Sequence, residues 1–240
     1  MSQEDLVKKA AIPGKEALRL HPFYKGKIEI VPKCIIRNLD DFSIWYTPGV
    51  AEPCKKIKEN PEEVYENTNK WNNVAVVSDG TRVLGLGDIG AEASMPVMEG
   101  KALLFKYLGG VDAFPICLDT KDPEEVIQAV KWIKPSFGGI NLEDISTPKC
   151  FYILERLRKE LDIPVWHDDQ QGTAAITLAG IINSLKIVGK KLNEVLFSII
   201  GAGAANICLI RTLIKAGVPP KNIIAVDSKG ILHPNRKDMD

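Results

Sequence analysis

The sequence predicts an α/β chain: an N-terminal α/β domain on a mostly parallel sheet, then the start of a second, Rossmann-type β-α-β unit. Three features carry that prediction. Between residues 111 and 169, the short apolar runs VDAFPICLD, FGGINL and DIPVW alternate with amphipathic stretches, the spacing of parallel strands joined by helices. Two of these runs end in acidic doublets, Glu143-Asp144 and Asp168-Asp169, which sets carboxylates at the C-terminal edge of a sheet, where open α/β folds bind ligands. Further on, the apolar run VLFSII passes directly into a glycine turn and an unbroken helical pattern.

Composition is that of an ordinary globular protein, with 45% hydrophobic and 26% charged residues. The 31 basic and 31 acidic residues cancel, so no global field draws in nucleic acid or a membrane surface. No apolar run has the length to span a bilayer, and MSQEDLVKKAA lacks the apolar core of a secretory signal. The five cysteines (34, 54, 117, 150, 208) are odd in number and have no CxxC spacing, which suits reduced thiols in the cytoplasm and not a disulfide frame or a zinc site.

In chain order, residues 2–20 read as a helix ending before His21-Pro22, and KGKIEIVPKCII (25–36) as an edge strand interrupted by Pro32. Tyr46-Thr47-Pro48-Gly49 is a turn, followed by one or two short helices. NVAVVSDGTRVLGLGDIG (73–90) reads as two strands joined in a hairpin at Asp79-Gly80. Its end, Gly85-Leu86-Gly87-Asp88-Ile89-Gly90, matches G-x-G-x-x-G, but Pro96 interrupts the helix that should follow, so it ranks below the later glycine turn as a dinucleotide site. EGKALLFKYLGG (99–110) is expected to be a helix with Lys101 in its first turn, where a cation opposes the helix dipole. It is either an exposed surface lysine or one held for a purpose, its pKa lowered toward the range of a general base. Segments 111–119, 122–135, FGGINLED, STPKCFYILERLRKELD and IPVWHDD complete the β-α-β series, and 172–190 is a long helix with small residues on one face.

Two acidic doublets framing one helix would repel each other unless a hard cation sat among them, so Mg²⁺ or Mn²⁺ on oxygen ligands is the expected occupant. The turn Gly201-Ala202-Gly203-Ala204-Ala205-Asn206 follows a strand and opens a helix, and NIIAVD ends in Asp227 at the place of a ribose-binding acid. The order of these parts predicts nucleotide binding. Asp227 favours NAD, while Lys229 close by would tolerate the extra phosphate of NADP. Asn206 stands where the fingerprint usually has Gly or Ala.

With these pieces in place, the chain resembles the malic enzymes, particularly the shorter prokaryotic type. The resemblance rests on WYTPGVAEPC (45–54), SDGTRVLGLGDIG (78–90), EGKALLFK (99–106), GVDAFPICLD (110–119), NLEDI (141–145), HDDQQGTAA (167–175) and IIGAGAAN (199–206), in that order. It implies that 78–90 belongs to the substrate domain, with residues 1–163 the catalytic domain and 164–240 the beginning of the NAD(P)-binding domain. It also implies roles: Tyr46 the general acid, Lys101 the base that takes the hydroxyl proton, and Asp168 the carboxylate that holds that lysine or assists proton transfer. Arg82 would bind the substrate carboxylate, and Glu143, Asp144 and Asp169 the metal. The turn 201–206 and Asp227 would bind the cofactor. The implied reaction is metal-dependent oxidative decarboxylation of L-malate to pyruvate and CO₂, through bound oxaloacetate, with reduction of NAD or NADP. A homodimer or larger homo-oligomer is implied too, with Tyr46 and Lys101 serving a neighbouring subunit's site in short forms.

The sequence stops soon after the second strand of the Rossmann unit, and one β-α-β step leaves apolar surface uncovered. The expectation is therefore a fragment, or a chain completed by another. Two further readings stay open at this stage: a metal-dependent oxaloacetate decarboxylase without redox chemistry, and a non-catalytic dimerisation or regulatory module.

Overall fold

A computed structural model describes residues 3–238. The N-terminal region is helical and loosely covered: α1 (Gln3–Tyr24), α2 (Asp41–Trp45), α3 (Ala51–Glu59) and α4 (Glu63–Asn67). Three expectations need correction here. The first helix runs on through Pro13 and Pro22 to Tyr24. Residues 25–36 form no strand; Ile30, Val31 and Ile35 lie exposed, and the segment meets the edge strand only through side chains, Lys33 Nζ standing 3.7 Å from Asp112 Oδ2. The third is the hairpin at 73–90. Only its first arm forms, as β1 (Asn73–Ser78), and both edges of β1 are taken by parallel neighbours, leaving no place for an antiparallel return. Beyond Gly80, whose φ is +67° and whose Cα lies against the Gly90 carbonyl, the chain makes a compact loop closed by the single bridge Val83–Gly87.

α5 (Ala91–Gly109) starts eight residues earlier than the sequence suggests. Pro96 removes one intrahelical N–H without ending the helix, and Gly90 at φ +83° makes the entry turn. Lys101 consequently sits in the middle of this helix, not in its first turn. β2 (Asp112–Cys117), α6 (Pro123–Ile133, capped by Asp122), β3 (Gly139–Leu142), α7 (Lys149–Glu160) and β4 (Val165–His167) follow as expected. The four strands form one parallel sheet in the order β2-β1-β3-β4. β3 is buried along its whole length, and the face that carries Ile140 and Leu142 is covered by α6 and α7 side chains such as Val130, Ile153 and Leu157. β2, which contains Pro115, is an edge strand.

A π-helical turn at 168–172 leads into α8 (Thr173–Val188). The second unit is β5 (Phe197–Ile200), α9 (Ala204–Lys215), β6 (Ile223–Asp227) and β7 (Gly230–Ile231), with β5 and β6 parallel and β7 antiparallel. A separate small core around Ile199, Leu209, Leu213 and Ala225 holds it. The α/β class, with a parallel first sheet and a Rossmann-type start to the second, is thus the observed architecture.

Candidate active site

Strand order decides where the first sheet can bind a ligand. The chain leaves β1 in one direction to β2 and returns to place β3 on the other side of β1, so the crevice between the carboxyl ends of β1 and β3 is the switch point. The acidic residues gather there. Glu143 and Asp144 follow β3, and Asp168 and Asp169 follow the adjacent β4. One carboxylate oxygen from each of Glu143, Asp144 and Asp169 lies within 4.8 Å of the other two.

The surroundings hold these acids in place. The Glu143 N–H donates to the Val77 carbonyl at 2.9 Å, pinning the turn to β1. Asp144 takes φ +54°, a left-handed conformation uncommon for a non-glycine residue, and its N–H donates to Asp169 Oδ2 at 2.9 Å while its carbonyl accepts from the Arg82 N–H at 3.0 Å. Asn141 Nδ2 donates to Glu143 Oε2 at 2.9 Å. Burial pushes the Glu143 carboxyl up to about 7 although Lys101 opposes the shift, and burial with the Asp169 charge pushes Asp144 to about 6. Asp144 Oδ2 is buried without a hydrogen-bond partner. Three converging carboxylates, one with an orphaned oxygen, form a hard, all-oxygen donor set that fits Mg²⁺ or Mn²⁺.

Lys101 reaches this cluster from α5. Its Nζ lies 2.7 Å from Asp168 Oδ2 and 3.0 Å from Glu143 Oε1. Burial by itself lowers the Lys101 pKa, but the bond to Asp168 and the Glu143 charge outweigh it, and the net shift is upward. The expected depression by a helix N-terminus is therefore corrected, since mid-helix placement removes the dipole and two carboxylates supply the opposite field. Asp168 is held from its other side, where Trp166 Nε1 donates to Oδ1 at 3.2 Å. Gly172 closes the pocket, as a Cβ there would strike the Asp168 carboxylate. His167 is fully buried, both ring nitrogens lack a hydrogen-bond partner although Nδ1 stands 3.8 Å from Asp169 Oδ2, and burial lowers its pKa. A Lys149–Asp79 pair, 2.5 Å apart, ties the first residue of α7 to the residue that follows β1.

Asn141, Trp166, Gly172, Lys149 and Asp79 escaped the sequence reading. The G of HDDQQGT was visible, but nothing in its spacing announced a clash with Asp168.

Arg82 is exposed, its guanidinium donating to the Leu84 carbonyl at 3.2 Å. It lines a cavity of about 350 Å³ together with Asp144, Asp169, Thr173 and the glycine turn Gly203-Ala204-Ala205-Asn206. Acid cluster and turn thus open into one space. In the turn Gly201 has φ +100°, Ala202 follows it, and Gly203 precedes the first residue of α9. Asn206 Nδ2 donates to the Ile200 and Gly201 carbonyls at 2.9 and 3.0 Å, so the amide braces the turn where a smaller residue would leave it unsupported. Asp227 is engaged by Arg236 through two 2.9 Å bonds, and Lys229 by Asp238 at 2.8 Å, partners that the sequence did not suggest. Tyr46 stands apart. It is 70% exposed at the end of α2 and does not line this cavity.

Two family profiles match the chain: "Malic enzyme, N-terminal domain" over residues 25–158 and "Malic enzyme, NAD binding domain" over 170–240. The chain is 61% identical over 208 residues to the NAD-dependent malic enzyme of Geobacillus stearothermophilus, covering 87% of this chain and 43% of that protein. It is 54% identical over 222 residues to the bifunctional malic/malolactic enzyme of Bacillus subtilis, covering 92% of this chain and 54% of the other. The crystal structure of Entamoeba histolytica malic enzyme superposes with a TM-score of 0.95 at 49% identity, over 99% of this chain and 50% of that one. The chain spans about half the length of these relatives.

Proposed function

From the premise that this chain belongs to the malic enzyme family, we propose that it carries the metal- and substrate-binding part of an oxidative L-malate decarboxylase and the phosphate-binding start of its NAD or NADP site. The observation that bears most of the weight is the placing of Lys101 Nζ, 2.7 Å from Asp168 and 3.0 Å from Glu143, beside three convergent carboxylates at the switch point. A Mg²⁺ or Mn²⁺ ion bound by Glu143, Asp144 and Asp169 supplies Lewis acidity toward the oxygens of a 2-hydroxy acid.

Arg82 pairs with a substrate carboxylate from the rim of the shared cavity. Lys101 Nζ, in its neutral form, takes the proton of the 2-hydroxyl as C2 gives up a hydride to NAD or NADP and reaches the ketone level. It returns a proton to the same oxygen when the C3–C4 bond breaks and CO₂ leaves. Asp168 holds Lys101 in line for these transfers. Tyr46 then gives its phenolic proton to C3 of the enol while Lys101 takes the enol hydroxyl proton back, releasing pyruvate. Its exposure in one chain supports delivery from a neighbouring copy, in a homodimer or larger homo-oligomer, whereas Lys101 serves the acids of its own chain. The turn 201–206 offers backbone N–H groups at the start of α9 to the cofactor pyrophosphate.

We place the catalytic domain at residues 1–163 and the start of the nucleotide domain at 164–240, with β4 (165–167) completing the first sheet from across that division. All five cysteines are free thiols, which supports a reducing, cytoplasmic setting.

The arrangement is tested with Lys101→Ala. Mn²⁺ titration should show an ion bound as in the parent chain, while L-malate-dependent NADH or NADPH formation falls by roughly 10²-fold or more. Near-parental turnover would remove Lys101 as the base. A non-catalytic module would bind no Mn²⁺, or bind it equally after Asp169→Asn. A second reading, decarboxylation of oxaloacetate without redox chemistry, draws support from Arg236 already occupying both oxygens of Asp227. Oxaloacetate decay without nucleotide, in a preparation that makes no NADH or NADPH from malate, would establish it.

A further inference from the structure

A second cavity, of about 440 Å³, lies where α7 and the π-turn of the first unit meet α9 of the second. It is distinct from the cavity that holds the acid cluster and glycine turn. The two open at opposite ends of α9, with Ala204 to Asn206 lining one and Cys208 to Lys215 the other. Three cations, Arg158, Arg211 and Lys215, line this second cavity against one acid, Glu155. Glu155 is already taken by Arg211, at 3.2 Å, and the Arg211 guanidinium is steadied over the Phe151 ring, 5.3 Å from its centroid. Arg158 and Lys215 make no side-chain hydrogen bond or ion pair among the described residues.

Cations in the last turns of α7 and α9 suit the helix dipoles, and that accounts for each of them singly. It does not account for two unpaired cations from different helices converging with a third on one concave space. We propose that this cleft binds a small organic polyanion carrying at least two carboxylate or phosphate groups. Arg158 and Lys215 would each take one anionic group, with Arg211 between them. A monoanion would satisfy only one of cations that stand on separate helices. The volume suits a compact metabolite. One wall is Trp166, whose indole N–H holds Asp168 Oδ1 at 3.2 Å, so an occupant presses on the residue that positions the Lys101 partner. Because its wall comes from both units, the cleft couples their relative placement to a ligand that is not the substrate. The inference does not depend on the reaction proposed above.

Calorimetric titration of the metal-free 240-residue chain with citrate, and separately with inorganic pyrophosphate, tests the assignment, the two probes separating a carboxylate ligand from a phosphate ligand. At least one should bind and change the fluorescence of Trp166, with the change lost in Trp166→Phe. Arg158→Gln combined with Lys215→Gln, both exposed and unpaired in the fold, should weaken binding roughly tenfold or more. Gly203→Asp, which puts a carboxylate into the glycine turn, should leave it within about twofold. Binding of neither probe overturns the proposal. So does undiminished binding in the double variant, or loss confined to Gly203→Asp, which would place the anion at the dinucleotide turn.

Discussion

The two sheets of this chain present the same edge, the carboxyl ends of their parallel strands, and build it by opposite means. In the first, β3 is buried on every residue and delivers Glu143 and Asp144, charged side chains pressed into a place that disfavours their charge. In the second, β5 and β6 keep one residue face open, with Ile200 82% and Ile224 47% exposed, and the corresponding edge is backbone, the turn from Gly201 to Asn206. A carboxylate cluster needs a rigid frame, because like charges spread apart wherever the scaffold yields. Backbone N–H groups at a helix start need only the turn itself, which glycine conformations and the Asn206 amide secure locally.

Core truncation sharpens the contrast most. Leu142→Ala, at a fully buried position directly before Glu143, should cost about 2–5 kcal/mol in urea or guanidinium unfolding. Ile200→Ala, directly before Gly201, should cost no more than about 0.5 kcal/mol in the same assay, since its side chain remains in water. Comparable losses at the two positions would mean that the sheets are equally supported and that rigidity is not what separates their sites.

Much of this division was legible in the sequence. Strand-to-acid junctions at 143–144 and 168–169 announced both the parallel sheet and its working edge, because burial on both faces gives continuous apolar runs and the charge begins where the strand ends. The glycine turn was legible for a similar reason. What failed depended on partners remote in sequence. Nothing between 73 and 90 reveals that both edges of β1 are already occupied, so Asp79-Gly80 read as a hairpin. Nothing near Lys101 reveals that α5 begins at Ala91, and with that the direction of its pKa shift was reversed. The Arg236 grip on Asp227 lies beyond the β-α-β pattern and follows from β7 folding back on β6.

Acid titration should divide the regions by sign. Glu143 rises from 4.5 to about 7 and Asp144 from 3.8 to about 6 on folding, so the native state binds their protons more tightly than the unfolded chain. Their contribution is complete below the unfolded values and is lost as pH climbs through the folded ones. Metal-free protein should therefore lose stability between about pH 4 and 7, on the order of 3 kcal/mol for the more strongly shifted acid. Asp227 moves the other way. Its pKa is lowered, chiefly by the Arg236 hydrogen bond, so its contribution is present above the unfolded value of 3.8 and lost as pH falls through the folded one. Saturating Mn²⁺ should abolish the decline toward pH 7, because an ion favours the ionised acids, and should leave the acid limb unmoved. A metal-free stability that rises between pH 4 and 7 would contradict the buried, mutually repelling cluster.

The smallest effects should come from adding one methyl group at each site. Gly172 has φ −63°, which any residue adopts, so Gly172→Ala carries no backbone strain. Its Cβ would nonetheless occupy the place of the Asp168 carboxylate, which must swing away from Trp166 and Lys101. Gly203→Ala is the matched control, with φ −81° and nothing within 4 Å of the added carbon. The first change should cost about 1–3 kcal/mol by overpacking and free Lys101 from one of its two carboxylates, which nitrogen-15 chemical shifts of the Lys101 ammonium would report. The second should stay within about 0.5 kcal/mol. Equal tolerance of both methyl groups would show that Asp168 is as mobile as the glycine turn's surroundings, and would remove the reason for treating the Lys101–Asp168 pair as a fixed geometry.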